Sequence, residues 1–301
     1  MDKKTDFLSM VTTPIVLFKD ETPVCYGTGF YYSTKWGEHQ NTFLVTNYHV
    51  ITGNDDVKER KEPPKGNRLM FFTHIDEKNV GTVLATIIPI KNETQNLWLE
   101  HDNKAVDIAI LPIVYKLPVE SPMYGIDDNL RSFEKNVSPS DLVTLVGYPK
   151  MFCDKINSLP VYKTGHVASE YDYDFNGDPC FLIDISAFGG NSGSPVFAID
   201  NTFKVENGEL KLYEKPTKNF LGIYSSQYEL GETLPVEVLN LQQSQFGVSH
   251  TVDMQLGIVW KGYLIEQIIS AFKPEEYIKR VEAIFKTSPF KFKITKGFED
   301  I

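Results

Sequence analysis

Ser192 stands in the run Phe188-Gly189-Gly190-Asn191-Ser192-Gly193-Ser194-Pro195-Val196-Phe197. A serine between glycines, just ahead of a proline and an apolar strand, reads as a tight turn that displays one hydroxyl. Glycine at 190 and 193 lets a substrate carbonyl come close to bare backbone N–H groups. Such donors are what a developing oxyanion requires. Taken alone, the run is equally an ordinary Gly/Ser turn. Two further stretches add to it. Phe43-Leu44-Val45-Thr46-Asn47-Tyr48-His49-Val50 is an alternating strand ending in a histidine, and Ala105-Val106-Asp107-Ile108-Ala109-Ile110-Leu111 sets a carboxylate at the mouth of a strongly apolar strand. That carboxylate is costly to bury unless something pairs with it. His49 supplies the partner. The pairing would fix its tautomer, leaving the other nitrogen to take a proton from Ser192.

The elements that must hold these groups are short and β-rich. Apolar runs recur at residues 14–19, 27–33, 42–46, 68–73, 81–90, 108–114, 142–147, 181–185, 195–199 and 220–224, separated by polar, Gly- or Pro-bearing turns. This spacing suggests a sandwich or barrels and not a βαβ architecture. Asn207-Gly208, between two short apolar runs, is a hairpin signal. Residues 54–67 are charged and hold Pro63-Pro64, which predicts an exposed, mobile loop. Residues 116–141 are weakly patterned and read as a connector between two β halves. Near the end Leu264, Ile265, Ile268, Ile269 and Phe272 share one helical face. Pro274 then opens a second helix bearing Tyr277, Ile278, Val281, Ile284 and Phe285, both stripes being core packing.

Bulk properties narrow the function. The chain has 301 residues, one large domain or two small ones, with 42% hydrophobic and 23% charged residues, which excludes wholesale disorder. Lys plus Arg is 30 against 40 for Asp plus Glu, a net charge of −10 that argues against nucleic-acid or anionic-membrane partners. No apolar run approaches the roughly 20 residues that span a bilayer. The beginning of the chain lacks a secretory leader pattern. Cys25, Cys153 and Cys180 are odd in number and show no metal spacing, so they read as reduced packing residues in a cytoplasmic protein.

The chain resembles the trypsin-like (chymotrypsin-fold) serine peptidases, closest in motif style to the bacterial HtrA-like branch without its PDZ domain. His49, Asp107 and Ser192 follow that family's order, not that of α/β-hydrolases or subtilisins. Gly27-Thr28-Gly29-Phe30, Leu145-Val146-Gly147-Tyr148-Pro149, Gly165-His166-Val167-Ala168-Ser169, Leu221-Gly222-Ile223-Tyr224-Ser225-Ser226 and Leu256-Gly257-Ile258 resemble its other elements, in sequence order. The resemblance implies an all-β fold of two antiparallel six-stranded barrels with a C-terminal helical extension. Its parts would be residues 1–125 (carrying His49 and Asp107), 126–262 (carrying Ser192) and 263–301. It implies a polypeptide substrate, an oxyanion hole of the Gly190 and Ser192 N–H groups, and no metal or organic cofactor. Ser186 and Ala187 would floor the primary specificity pocket, Tyr224, Gly257 and Ile258 would wall it, and Ser225 and Ser226 would lie on the substrate-pairing strand. The floor carries no aspartate, so a preference for Lys or Arg is not expected.

Departures from the family sharpen these expectations. Asn191 stands where zymogen-type trypsins carry an aspartate, so activation by a new α-amino group is not expected. Ser194 replaces a glycine. Asp76 and Asp102 do not open an Asp-Ile-Ala-type strand, which leaves Asp107 preferred. His74, His101, His166 and His250 default to structural or exposed roles, although His166 could reach the pocket. Asp172-Tyr173-Asp174-Phe175-Asn176-Gly177-Asp178 begins like a calcium loop, but Ile183 stands where the bidentate glutamate is required, and an acidic turn is the better reading. Three functions remain open: a serine endopeptidase, a peptidase gated by a regulatory protein partner, and a silent peptide-binding scaffold. A single flipped Gly189–Gly190 peptide would close the oxyanion hole, and the sequence permits both orientations.

Overall fold

In the computed structural model, which describes residues 4–36, 39–75, 80–114, 124–131, 137–199, 203–206, 209–212, 217–236 and 246–298, apolar alternation becomes strand nearly wherever the sequence carries it. The first half contributes β1 (Thr12–Lys19), β2 (Thr22–Trp36), β3 (His39–Thr46), β4 (Arg68–His74), β5 (Thr82–Pro89), β6 (Leu99–Glu100) and β7 (Ala109–Pro112). The second contributes β8 (Leu142–Gly147), β9 (Val161–Val167), β10 (Cys180–Asp184) and β11 (Pro195–Ile199). After these come β12 (Phe203–Glu206), β13 (Glu209–Leu212), β14 (Lys218–Val236) and β15 (Phe246–Lys261). A last strand, β16 (Lys291–Lys296), follows two helices.

The expected all-β architecture of two antiparallel halves is present. Strands β10-β15-β14-β11-β8-β9 close a six-stranded barrel. The first half is an eight-stranded sheet, in the order β16-β5-β4-β1-β2-β3-β7-β6. Its β16 edge comes from the far end of the chain, where a helical extension and tail, and no strand, were expected. The alternation in Lys291-Phe292-Lys293-Ile294-Thr295-Lys296 is that of an edge strand guarded by lysines. β12 and β13 pair with Glu206 opposite Glu209. The Asn207-Gly208 turn itself lies outside the described residues, as do 115–123 and 132–136 of the connector.

Packing joins the halves around the cleft. Phe30 and Tyr32 of β2 meet Phe220 of β14 at ring distances of 5.5 and 6.2 Å. The closed barrel has its own core, in which Val143, Leu145, Phe181, Ile183 and Val259 are fully buried. Each such side chain contributes about 1.5–3 kcal/mol through removal from water. Helices Tyr263–Ser270 and Pro274–Thr287 form at the apolar stripes, with Pro274 in the first turn as expected. Tyr277, Val281 and Ile284 are buried. Ile278, counted in that stripe from sequence, is 43% exposed, because one step turns a helical side chain about 100° from Tyr277. Phe272, between the helices, sets its ring edge against Phe43 of β3 at 5.6 Å. No described helix is long and apolar enough to cross a membrane.

Candidate active site

β3 ends at Thr46, and His49 sits one turn later on a short helix, Tyr48–Thr52, closed by Gly53 N–H on His49 O (2.8 Å). The placement is set from the opposite strand. Asn47 Nδ2 donates to Asp107 O (2.6 Å), and His49 N–H donates to Asp107 Oδ1 (3.1 Å). The imidazole Nδ1 lies 2.7 Å from Asp107 Oδ2, with side-chain exposures of 18% for His49 and 4% for Asp107. Ser225 Oγ donates to the same Oδ2 at 2.6 Å. A buried carboxylate is tolerated when its lone pairs are satisfied in this way. It holds His49 with Nδ1 protonated and Nε2 free to accept a proton. Burial alone would lower the His49 pKa, but the charge and hydrogen bond of Asp107, helped by the charge of Asp55, outweigh it and raise the pKa above 6.5. Asp102 is exposed, and Asp76 lies outside the described residues.

The Ser192 turn is shaped by close contact with β2. Gly190 and Gly193 have φ of +91° and +90°, which favour glycine. A side chain at 193 would also strike Thr28 O, only 1.9 Å from where its Cβ would stand. Thr28 knits the two halves together. Its N–H donates to Ser192 O (2.8 Å), its hydroxyl donates to Gly190 O (2.8 Å), and the same hydroxyl accepts from Tyr148 N–H (3.0 Å). The flanking amides also have acceptors, since Gly193 N–H binds Tyr224 O (2.9 Å) and Asn191 N–H binds Phe188 O (3.1 Å). Among the described residues, neither Gly190 N–H nor Ser192 N–H has a protein acceptor. These are the two groups expected to hold an oxyanion. No hydrogen bond yet joins Ser192 Oγ to His49, a link that in such sites often forms only around bound substrate.

One hydrogen bond holds the carbonyl of the Gly189–Gly190 peptide. Lys150 N–H donates to Gly189 O at 2.7 Å. In a trans peptide the next N–H points the opposite way, so Gly190 N–H faces away from Lys150. Lys150 (φ 47°) and Met151 (φ 60°) are consecutive non-glycine residues in the left-handed region. Such a conformation costs about 1–2 kcal/mol per residue and persists only where surrounding contacts impose it.

Other expected site residues are placed as follows. Ala187 and Tyr224 are buried together in the barrel core, and Tyr224 packs over Gly257. Ser186 is exposed, and its carbonyl accepts from Lys163 Nζ. Gln227 Nε2 donates to Ala187 O at 2.9 Å. Ser225 gives its hydroxyl to Asp107, and Ser226 lines a depression of about 950 Å³ together with Asp55, Asp56, Tyr228 and Trp260. One wall of that depression is the charged 54–67 loop. It is anchored, with Arg60 reaching Val106 O (2.8 Å) and Asn54 Nδ2 reaching Glu62 O (2.9 Å). In the calcium-like run Asp174 is bound by Lys261 Nζ at 2.7 Å. His166 is exposed on β9 opposite Asp184. All three cysteines are free thiols, and burial, with the charge of Asp55 adding to it, pushes Cys25 up to about 11.

Thr28 and Lys150 were not read as functional from sequence. Thr28 lies in a quoted motif, but its bonding to Gly190 spans 162 positions. Nothing local marks Lys150, which acts through its backbone.

The family model for the trypsin-like peptidase domain matches residues 27–204. The crystal structure of Rv3671c protease, inactive form, is similar over 87% of this chain and 89% of that one, with 14% identity and a TM-score of 0.42. No curated protein matches significantly.

Proposed function

The chain belongs to the trypsin-like peptidase family, and on that premise we propose that it is a serine endopeptidase acting through His49, Asp107 and Ser192. The observation that carries this reading is the buried Asp107 carboxylate, held 2.7 Å from His49 Nδ1 and completed by Ser225 at 2.6 Å. Ser192 Oγ attacks the peptide carbonyl while His49 Nε2 takes its proton. The oxyanion is received by Gly190 and Ser192 N–H, which have no competing protein acceptor among the described residues. Collapse passes the proton from His49 to the leaving amine. Water then attacks the acyl-enzyme with His49 again as base.

The Lys150–Gly189 bond supports a hole that is already open. A regulatory protein partner would then act on access to the cleft and not on the orientation of this peptide. Fluorophosphonate labelling of wild type, Ser192→Ala and His49→Ala tests the reading. Labelling of wild type alone is expected, with a loss of about 10⁶-fold in kcat for either variant on a peptide substrate. A wild type that neither labels nor cleaves would overturn it and favour a silent peptide-binding scaffold.

A further inference from the structure

We propose that Phe298 is a positioning residue for the oxyanion hole, acting as a wedge that holds the Lys150 strap in place. The inference rests on the reading of Gly190 and Ser192 N–H as that hole.

β16 pairs with β5 along its length, from Lys291 opposite Ile87 to Lys296 opposite Thr82. The chain then leaves the sheet edge and reaches the 148–159 loop. Gly297 N–H donates to Gly81 O (2.7 Å), and Phe298 N–H donates to Lys155 O (3.0 Å) within that loop. The Phe298 ring is only 5% exposed. It lies 4.7 Å from Phe72 of β4 and 5.9 Å from Tyr148, centroid to centroid. With Val16, Met70 and Val83 these three aromatics form a satellite cluster separate from the two main cores, with Met151 and Cys153 at its margin.

One ring thus bridges the first-half sheet and the residue that starts the strained turn. Tyr148 O accepts Met151 N–H (3.0 Å), closing the turn, and Tyr148 N–H is bound by Thr28 Oγ1 (3.0 Å). Lys150 lies between them with its N–H on Gly189 O (2.7 Å). Consecutive left-handed residues relax when their surroundings cease to over-determine them. Phe298 supplies such contacts at two points of the loop, its ring on Tyr148 at the start and its N–H on Lys155 further along. Phe298, Lys150, Met151, Gly189 and Gly190 also line one cavity of about 620 Å³. The route from the tail to the oxyanion peptide is therefore short: Phe298 to Tyr148, Tyr148 to the Lys150 turn, and Lys150 N–H to Gly189 O. Loss of the ring frees the turn and lets the Gly189–Gly190 peptide rotate.

The test compares full-length wild type, Phe298→Ala and Phe298→Tyr by steady-state kinetics on a peptide. It also measures hydrogen exchange at the Lys150 amide, at a temperature where each protein is folded by circular dichroism. Loss of one oxyanion donor lowers kcat by about 10²–10³, so a partly populated rotated peptide in Phe298→Ala should lower kcat by about 10–100-fold, with KM within about threefold. Lys150 exchange should quicken in parallel, and Phe298→Tyr should keep both near wild type. Unchanged kcat, or lowered kcat with unchanged Lys150 exchange, overturns the proposal even if the melting temperature falls. Should Phe298→Ala fail to fold, Phe298→Leu, which keeps apolar volume but not the ring contacts, is judged by the same criteria. A wild type with no activity defeats the peptidase reading instead, and the wedge is then decided by Lys150 exchange alone.

Discussion

Around Asp107 three donors converge on one buried carboxylate, whereas the N–H groups of Gly190 and Ser192 have no protein acceptor among the described residues. The acid–base side is held by direct bonds among His49, Asp107 and Ser225. The nucleophile side is shaped from a distance, by Thr28 of β2, by the strained Lys150 turn, and through that turn by the tail. The difference follows from what each side must do. A base has to be fixed in one tautomer, and short bonds to a carboxylate do that. An oxyanion hole has to keep its donors unspent until charge develops, so its geometry must come from neighbours that leave those donors alone. Defects on the first side should be local and severe. Those on the second should be reachable from remote positions.

The largest expected effect breaks the well-bonded side. Asp107→Asn keeps the shape but permits the wrong His49 tautomer, so kcat should fall by about 10⁴-fold in a folded protein. A loss of tenfold or less would mean that His49 is oriented by other contacts. Next comes a probe of the sparsely bonded side. Asn191 is fully buried, and its side-chain amide has no partner among the described residues. Asn191→Asp would bury a charge without a cation and should destabilise the protein by about 3–5 kcal/mol in denaturant unfolding. Wild-type-like stability would reveal a cation within reach and revive activation by an α-amino group.

The smallest expected effect is electrostatic. Protonated His49 cannot act as a base, so kcat/KM should fall as pH drops through a limb whose pKa lies above 6.5. Asp55→Asn removes one of the charges that raise it, so the limb should move to lower pH, by less than removal of the Asp107 charge would move it. No movement in a pH–rate profile would show that the charged 54–67 loop does not communicate with the base.

Much of the site was legible because its residues conflict with their local surroundings. Asp107 is a carboxylate opening an apolar strand, and Ser192 is a hydroxyl between glycines, so each is conspicuous within a few positions. Asn191 was noticed as a departure, yet the lack of a partner for its side-chain amide among the described residues is a property of the packed interior. Ser225 was expected to meet substrate. Its bond to Asp107 joins residues 118 positions apart, and hydrophobic periodicity carries no information at that separation. β16 was not read from sequence, where 263–301 stood as a helical extension and tail, and the strand forms because the edge of β5 is there to pair with it.

The sequence by itself determined the β-rich halves, the helical stripes and the side chains able to do chemistry, because burial cost and periodicity act over a few residues. It could not determine which way the Gly189–Gly190 peptide points. Glycine adopts either sign of φ at similar cost, so the chain is nearly indifferent there. Only the folded arrangement settles the matter. Lys150 N–H, held in a turn that tertiary contacts impose, binds Gly189 O at 2.7 Å and leaves Gly190 N–H without a protein acceptor among the described residues.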